Sequence, residues 1–239
     1  NFEEITQICN MAFRRAAASF SLFSCSRVVA ARSIATVSPA LHSPLIQSSR
    51  RLSMKVTNSE KDGRIVWVDC EMTGLEAEKG QTLVEIAVIV TDAQLNIVAE
   101  GPDIVIHQDE ETLSKMSEWC KKTFAENGLT ERIRASKVGM AEAEEQVLAF
   151  LREHVLKDKS PLAGNTIYMD RLFIRKYMPR IDDYLHYRLI DVSTIKELSR
   201  RWYPSALESA PAKAMTHRAL DDIRESIAEL KHYKANVFK

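Results

Sequence analysis

Four β-forming residues in a row, Ile65, Val66, Trp67 and Val68, lead without a turn into Asp69, Cys70 and Glu71, and no other stretch restricts the fold as tightly. An apolar, β-branched and aromatic run of this kind reads as a strand fit for burial. Side chains alternate across a strand with period two, so Asp69 and Glu71 point to one side of the sheet, roughly 6.5–7 Å apart along the chain. Each carboxylate resists ionising beside the other in a poorly solvated place unless positive charge lies between them, and a metal ion is one source of it. Strands that run out into water also finish in polar residues. The stretch alone therefore leaves two readings open, a solvated strand end and a cation site.

Beyond Gly63 the pattern alternates. RIVWVD, TLVEIAVIV and NIVAEGPDIVIH predict three strands, the third bent near Gly101 and Pro102, and the short links between them predict an antiparallel start. AEAEEQVLAFLREHVL, residues 141–156, sets Val147, Leu151 and Val155 on one helical face. The lysine-rich KDKSP then leads to a short strand, PLAG, and a helix through MDRLFIRKYM. YRLIDV predicts another strand, and Thr194, Ile195, Lys196 and Glu197 have the form of a capping box opening a helix that carries Ile195, Leu198 and Trp202. Leu220, Ile223, Ile227 and Leu230 recur at helical spacing near the end. Strands first and strand–helix alternation afterwards predict an α/β domain with a mixed sheet.

With 239 residues, 45% hydrophobic, the chain can bury one good core, and the expected division is 1–55 as a disordered extension and 56–239 as the folded domain. The net charge of zero hides that division. Residues 1–55 hold seven basic residues (Arg14, Arg15, Arg27, Arg32, Arg50, Arg51, Lys55) and two acids (Glu3, Glu4), which leaves the remainder with 26 of the 33 basic and 31 of the 33 acidic residues. An acidic body lacks the basic stripe that tracks long nucleic acid, yet a few placed groups can hold a short polyanion. No apolar run approaches the ~20 residues that cross a bilayer, and no membrane is expected. Cys9, Cys25, Cys70 and Cys120 are scattered without a CxxC pair, a pattern of neither a disulfide framework nor a zinc site.

From Met11 onward the chain is rich in Ser, Ala and Arg and has no acid until Glu60. That is the composition of an organelle transit peptide, and arginines interrupt the apolar stretches that a secretory signal would need. Mitochondrial import is the expectation, a chloroplast the second choice, and a tail without an address the plain alternative. NFEEITQICN, which carries both acids of the segment, reads as upstream translated sequence, and Met54 could serve as an internal start for a cytosolic form.

Further polar groups stand apart in the sequence. Asp170, in AGNTIYMDRLF, opens a predicted helix, where the dipole favours an acid in any case. THRALDDIRESI supplies His217, Asp221 and Asp222; in a continuous helix His217 and Asp221 would share a face, so periodicity alone selects Asp221. Taken together, Asp69-x-Glu71, Asp170 and His217-x-x-x-x-Asp222 resemble the DEDDh 3′→5′ exonucleases in order and spacing. WVDCEMTGL, PLAGN, KYMP, HYRLIDVSTIKELSRRWYP and HRALDDIRESIAEL are similar to the oligoribonuclease branch of that superfamily, over roughly residues 63–235.

The resemblance implies a ribonuclease H-like mixed β-sheet flanked by α-helices, and hydrolysis of very short single-stranded RNA, dinucleotides above all, from the 3′ end to 5′-mononucleotides. It leaves open a related DEDDh exonuclease acting on DNA or longer RNA; a metal-free nucleotide-binding module fits less well, because all four acids and the histidine are present. Asp69, Glu71, Asp170 and Asp222 are implied as ligands of two divalent ions, Mg²⁺ or Mn²⁺, and His217 as general base, with Asp222 in place of Asp221 if His217 lies ahead of the helix. Leu75 is implied as a wedge between two bases, and Tyr187, Arg188 and Ser193 as a cap on the 5′-phosphate, the tyrosine reaching across from a second subunit of a homodimer. Thr166 keeps the hydroxyl where relatives tend to have serine. Trp119 and Phe124 are implied as substrate contacts; Phe124 stands where relatives commonly carry histidine, and can stack on a base but not hydrogen-bond to one.

Overall fold

The computed structural model describes residues 61–212 and 218–238. The expectations for segment 1–55, for Met54 and for His217 fall outside the described residues. Strand β1 (Ile65–Met72) is the middle of five, flanked by β2 (Leu83–Thr91) and then β3 (Ile97–Val105) on one side, and by β4 (Pro161–Gly164) and then β5 (His186–Asp191) on the other. β1, β2 and β3 pair antiparallel, as the short links predict, while β1, β4 and β5 run parallel. The helices follow as α1 (Glu110–Ser114), α2 (Glu118–Glu126), α3 (Leu129–Ala135), α4 (Met140–His154), α5 (Tyr168–Tyr177), α6 (Pro179–Asp182), α7 (Val192–Trp202), α8 (Pro204–Glu208) and α9 (Ala219–Asn236).

The sheet is covered on both faces, and this is why its central strands are apolar at nearly every position. Val66, Val68, Cys70 and Met72 look into a layer built with Val147 and Leu151 of α4 and Phe173 and Ile174 of α5. Ile65 and Trp67 look the other way, onto Ile223, Ile227 and Tyr233 of α9 and Val192 of α7. The Trp67 indole, wholly buried, donates to Thr91 Oγ1 at 3.0 Å, so its one polar atom is satisfied inside the core. The third strand is bent where expected: Ala87 pairs with Asp103 and Ile89 with Glu100, so β3 fits one extra residue in around Gly101 and Pro102.

Two expectations are corrected. Helix α7 begins at Val192, two residues ahead of the supposed capping box, because the Asp191 side chain accepts the Ser193 N–H at 2.9 Å and caps the helix itself. Trp202 on that helix is 65% exposed and adds nothing to its buried stripe. Helices α1 to α3 form a region the sequence pattern had left unassigned. They enclose a separate small core of Val84, Leu113, Met116, Cys120, Phe124, Leu129 and Ile133.

Candidate active site

The side of β1 that begins with Ile65 and Trp67 continues with Asp69 and Glu71, so both acids point toward the layer of α9. The first turn of α9 carries Asp222. One carboxylate oxygen from each of Asp69, Glu71 and Asp222 lies within 4.8 Å of the others, and all three residues are half-buried. The helix starts at Ala219, with the Asp222 N–H donating to the Arg218 carbonyl at 3.0 Å. That phase turns Asp222 inward and leaves Asp221 exposed against Arg224, at 3.0 Å.

Asp170 comes from the first turn of α5 and is 6% exposed. Its Oδ1 accepts the Cys70 N–H at 2.9 Å, which pins it to the strand between the two acids of β1. It is not one of the three residues whose oxygens share the 4.8 Å span. Burial, reinforced by Glu85, Asp222 and Asp170, pushes the Glu71 carboxyl up to about 8. Burial likewise raises Asp170, to about 7, against the opposing pull of the Cys70 N–H. The buried Cys70 thiol is driven well up by desolvation and then by Asp170, Asp69 and Glu71, so it is not a ready nucleophile. Without a cation this is a site where negative charge is resisted, and a divalent ion would reverse that balance.

Leu75 follows β1 in a loop and is 47% exposed. The loop is closed by Thr73 and Thr82, which exchange an N–H···O=C bond at 2.9 Å and an N–H···Oγ1 bond at 2.9 Å, and by the Glu76 N–H on Gln81 Oε1 at 2.6 Å. A Cβ at Gly74 would run into the Gln81 amide, so the closure requires glycine there. The Ser117 N–H donates to the Thr73 carbonyl at 3.0 Å, tying the start of α2 to this loop; Trp119 on that helix is 47% exposed. Phe124 is a correction: it is completely buried in the small core beneath α2 and offers no ring face to a base.

Thr166 and Ser193 meet at the carboxyl ends of β4 and β5. The Thr166 N–H, at a left-handed φ of 54°, is within 3.0 Å of both Asp191 Oδ1 and Ser193 Oγ, and the two hydroxyls are 3.2 Å apart. Asn165 accepts from Ser193 Oγ at 3.1 Å and donates to Ser226 Oγ of α9 at 2.7 Å, joining this corner to the helix that carries Asp222. Tyr187, 71% exposed, and Arg188, its guanidinium 4.8 Å from the tyrosine ring centre, stand on β5, two strands away from β1. Glu85 was missed by sequence reasoning: it pairs directly with Glu71 across β1 and β2 and is fully buried. The signal was a single acid inside the otherwise apolar run of β2.

Comparison with known proteins agrees with this architecture. The family model for "Exonuclease", RNase_T, matches residues 66–230. A Caenorhabditis elegans protein named "Probable oligoribonuclease" is 63% identical over 175 residues, covering 73% of this chain and 89% of the relative. The Homo sapiens "Oligoribonuclease, mitochondrial" is 52% identical over 74% of each chain, and the Vibrio cholerae "Oligoribonuclease" 54% identical over 76% of this chain and 99% of its own. Among solved structures, exonuclease I superposes with a TM-score of 0.58 at 15% identity, over 73% of this chain and 41% of that one, a likeness of fold. A mixed sheet between helical layers, matched by the exonuclease model over most of its length and by relatives more than half identical across nearly all the described part, places the chain in the oligoribonuclease branch of the exonuclease family.

Proposed function

We propose that this protein is a metal-dependent 3′→5′ exoribonuclease that degrades RNAs of a few nucleotides, dinucleotides above all, to 5′-mononucleotides. The observation that carries the reading is the convergence of Asp222 with Asp69 and Glu71, more than 150 positions earlier in sequence, within 4.8 Å at the end of a buried strand. All the donors are carboxylate oxygens, the set that Mg²⁺ and Mn²⁺ prefer, and the upward push on Glu71 is the cost that such a cation relieves. Asp69, Glu71, Asp170 and Asp222 would hold two of these ions. When bound, the pair supplies an acidified water and neutralises charge on the scissile phosphate. The family resemblance assigns His217 to take the proton from the attacking water, a task that suits an imidazole with its ordinary pKa near 6.5.

Short length is selected by closure at both ends of the substrate. Leu75, exposed on its braced loop, wedges between two bases, and Trp119, exposed on the helix tied to that loop, adds a second apolar contact. Thr166, Ser193 and Arg188 gather donors for a 5′-phosphate, Arg188 through a forked pair of hydrogen bonds. Tyr187, the most exposed large side chain on β5, is free to reach a second subunit in a homodimer. Residues 1–55 direct the chain to mitochondria; their acid-poor, Arg- and Ser-rich composition supports this, as does the mitochondrial naming of the human relative.

The test is a time course on 5′-labelled RNAs of two to seven nucleotides and on matched DNA, with Mg²⁺ or with EDTA. The dinucleotide should be cleaved fastest, DNA slowly, and nothing in EDTA. Preference for the longest RNA or for DNA would replace the capped site with an open channel, and activity in EDTA would remove the metal.

A further inference from the structure

We infer that Glu85 is a positioning residue for the acid cluster, acting through Arg218 on the turn that carries Asp222; the inference rests on the exonuclease reading given above. Glu85 is the direct cross-strand partner of Glu71, on the same face of the sheet, and its side chain is completely buried. Every other residue of β2 except the terminal Thr91 is apolar, and an apolar side chain would fill this place without the penalty of a buried charge. The charge is met by cations from two different elements. Arg132 of α3 donates to Glu85 Oε1, and Arg218, the residue that precedes α9, brings Nε to within 3.9 Å of the same oxygen. Arg218 Nη2 is also 4.0 Å from Asp103 Oδ2 on β3.

What makes this arrangement more than core filling is the other end of Arg218. Its carbonyl accepts the Asp222 N–H at 3.0 Å, so the residue drawn toward Glu85 is also the one that closes the first turn of α9. Glu85 therefore touches both sides of the cluster, Glu71 through the strand pair and Asp222 through Arg218. Among the described residues, Glu85 Oε2, Arg132 Nη1 and Arg218 Nε are each buried without a hydrogen-bond partner, so the carboxylate keeps unused acceptor capacity and both cations keep unused donors. A buried acid and a helix-start arginine held this way fix where Asp222 sits relative to Asp69 and Glu71.

The test is a double-mutant cycle of Glu85→Gln, Arg218→Met and the two combined, in the full chain, with Asp222→Asn alongside. Three readouts apply: kcat and KM on a ribodinucleotide, Mn²⁺ binding by calorimetry without RNA, and thermal stability. Each single variant should lose about 10–100-fold in kcat, the usual effect of a residue that orients metal ligands, with KM within about twofold and Mn²⁺ bound more weakly. The combined variant should be no worse than either single one, because both remove the same link. Multiplying losses, a change confined to KM, or unchanged kcat and Mn²⁺ affinity would overturn the inference. If Glu85→Gln does not fold, Arg218→Met decides alone by the same criteria. The two levels separate cleanly: an active wild type with an inactive Asp222→Asn beside unaffected Glu85→Gln and Arg218→Met sinks only the positioning role, whereas a fully active Asp222→Asn sinks the exonuclease site.

Discussion

Asp221 and Asp222 are neighbours in the chain and opposites in the fold. One is exposed and paired with Arg224, and the other shares a 4.8 Å span with Asp69 and Glu71. Asp222→Asn should therefore cost more than the ~10–100-fold typical of a residue that only supports a ligand, while Asp221→Asn stays near wild type in a single-turnover assay, both folded by circular dichroism. His217→Ala should cost ~10²–10⁴-fold, the worth of a placed base. Glu71 also sets a pH signature. Its pKa rises from 4.5 to about 8 on folding, so between those values the folded chain keeps a proton that the unfolded chain has lost. Metal-free stability should accordingly fall as pH rises through that window, by no more than about 1.4 kcal/mol per pH unit for the one group. Melting scans from pH 5 to 8 should show the decline, Glu71→Gln should make it shallower without abolishing it because Asp170 is also raised, to about 7, and saturating Mn²⁺ should oppose it. At this scale the sequence was legible for the acids, because alternation places Asp69 and Glu71 together whatever the sheet. Phe124 was misjudged although the sign was there: it lies five positions from Trp119, about 140° around a helix, so an outward Trp119 turns Phe124 in.

Helix α7 shows how a good local signal loses to a better one. Thr194 to Glu197 match a capping box, yet Asp191 already accepts the Ser193 N–H and, at 3.0 Å, the Thr166 N–H as well. Asp191→Ala should destabilise the domain by about 1–2 kcal/mol in urea titration, whereas Thr194→Ala should cost only a few tenths. The same aspartate fixes the left-handed Thr166, so the variant should also loosen the corner where Thr166 meets Ser193. Strands β1 to β3 and helices α4, α5 and α9 were readable because each carries an apolar rhythm of its own. Helices α1 to α3 are short and charged, and their apolar positions make sense only once Val84 of β2 is in place to receive them. Glu85 escaped for a related reason, since its meaning depends on Glu71 across the strand pair and on Arg132 and Arg218 from elements far away in sequence.

For the molecule as a whole, we propose that the division of charge at residue 55 separates an addressing segment from a catalytic body. A chain starting at Met54 should melt within a degree or two of the full-length protein and cleave dinucleotides at the same rate, yet fail to enter isolated mitochondria. A substantial loss of stability on truncation would show that the first 53 residues belong to the folded unit. The order of strands could not be read from the sequence, because pairing between distant segments depends on contacts no local pattern records. That order has a consequence for self-association. At one border of the sheet, β3 is kinked where it carries Pro102, which has no N–H to offer an incoming chain. At the opposite border lies β5, six residues long. Among the described residues, then, β5 is the border open to backbone pairing, and two copies that meet through it present only the kinked β3 borders to a third.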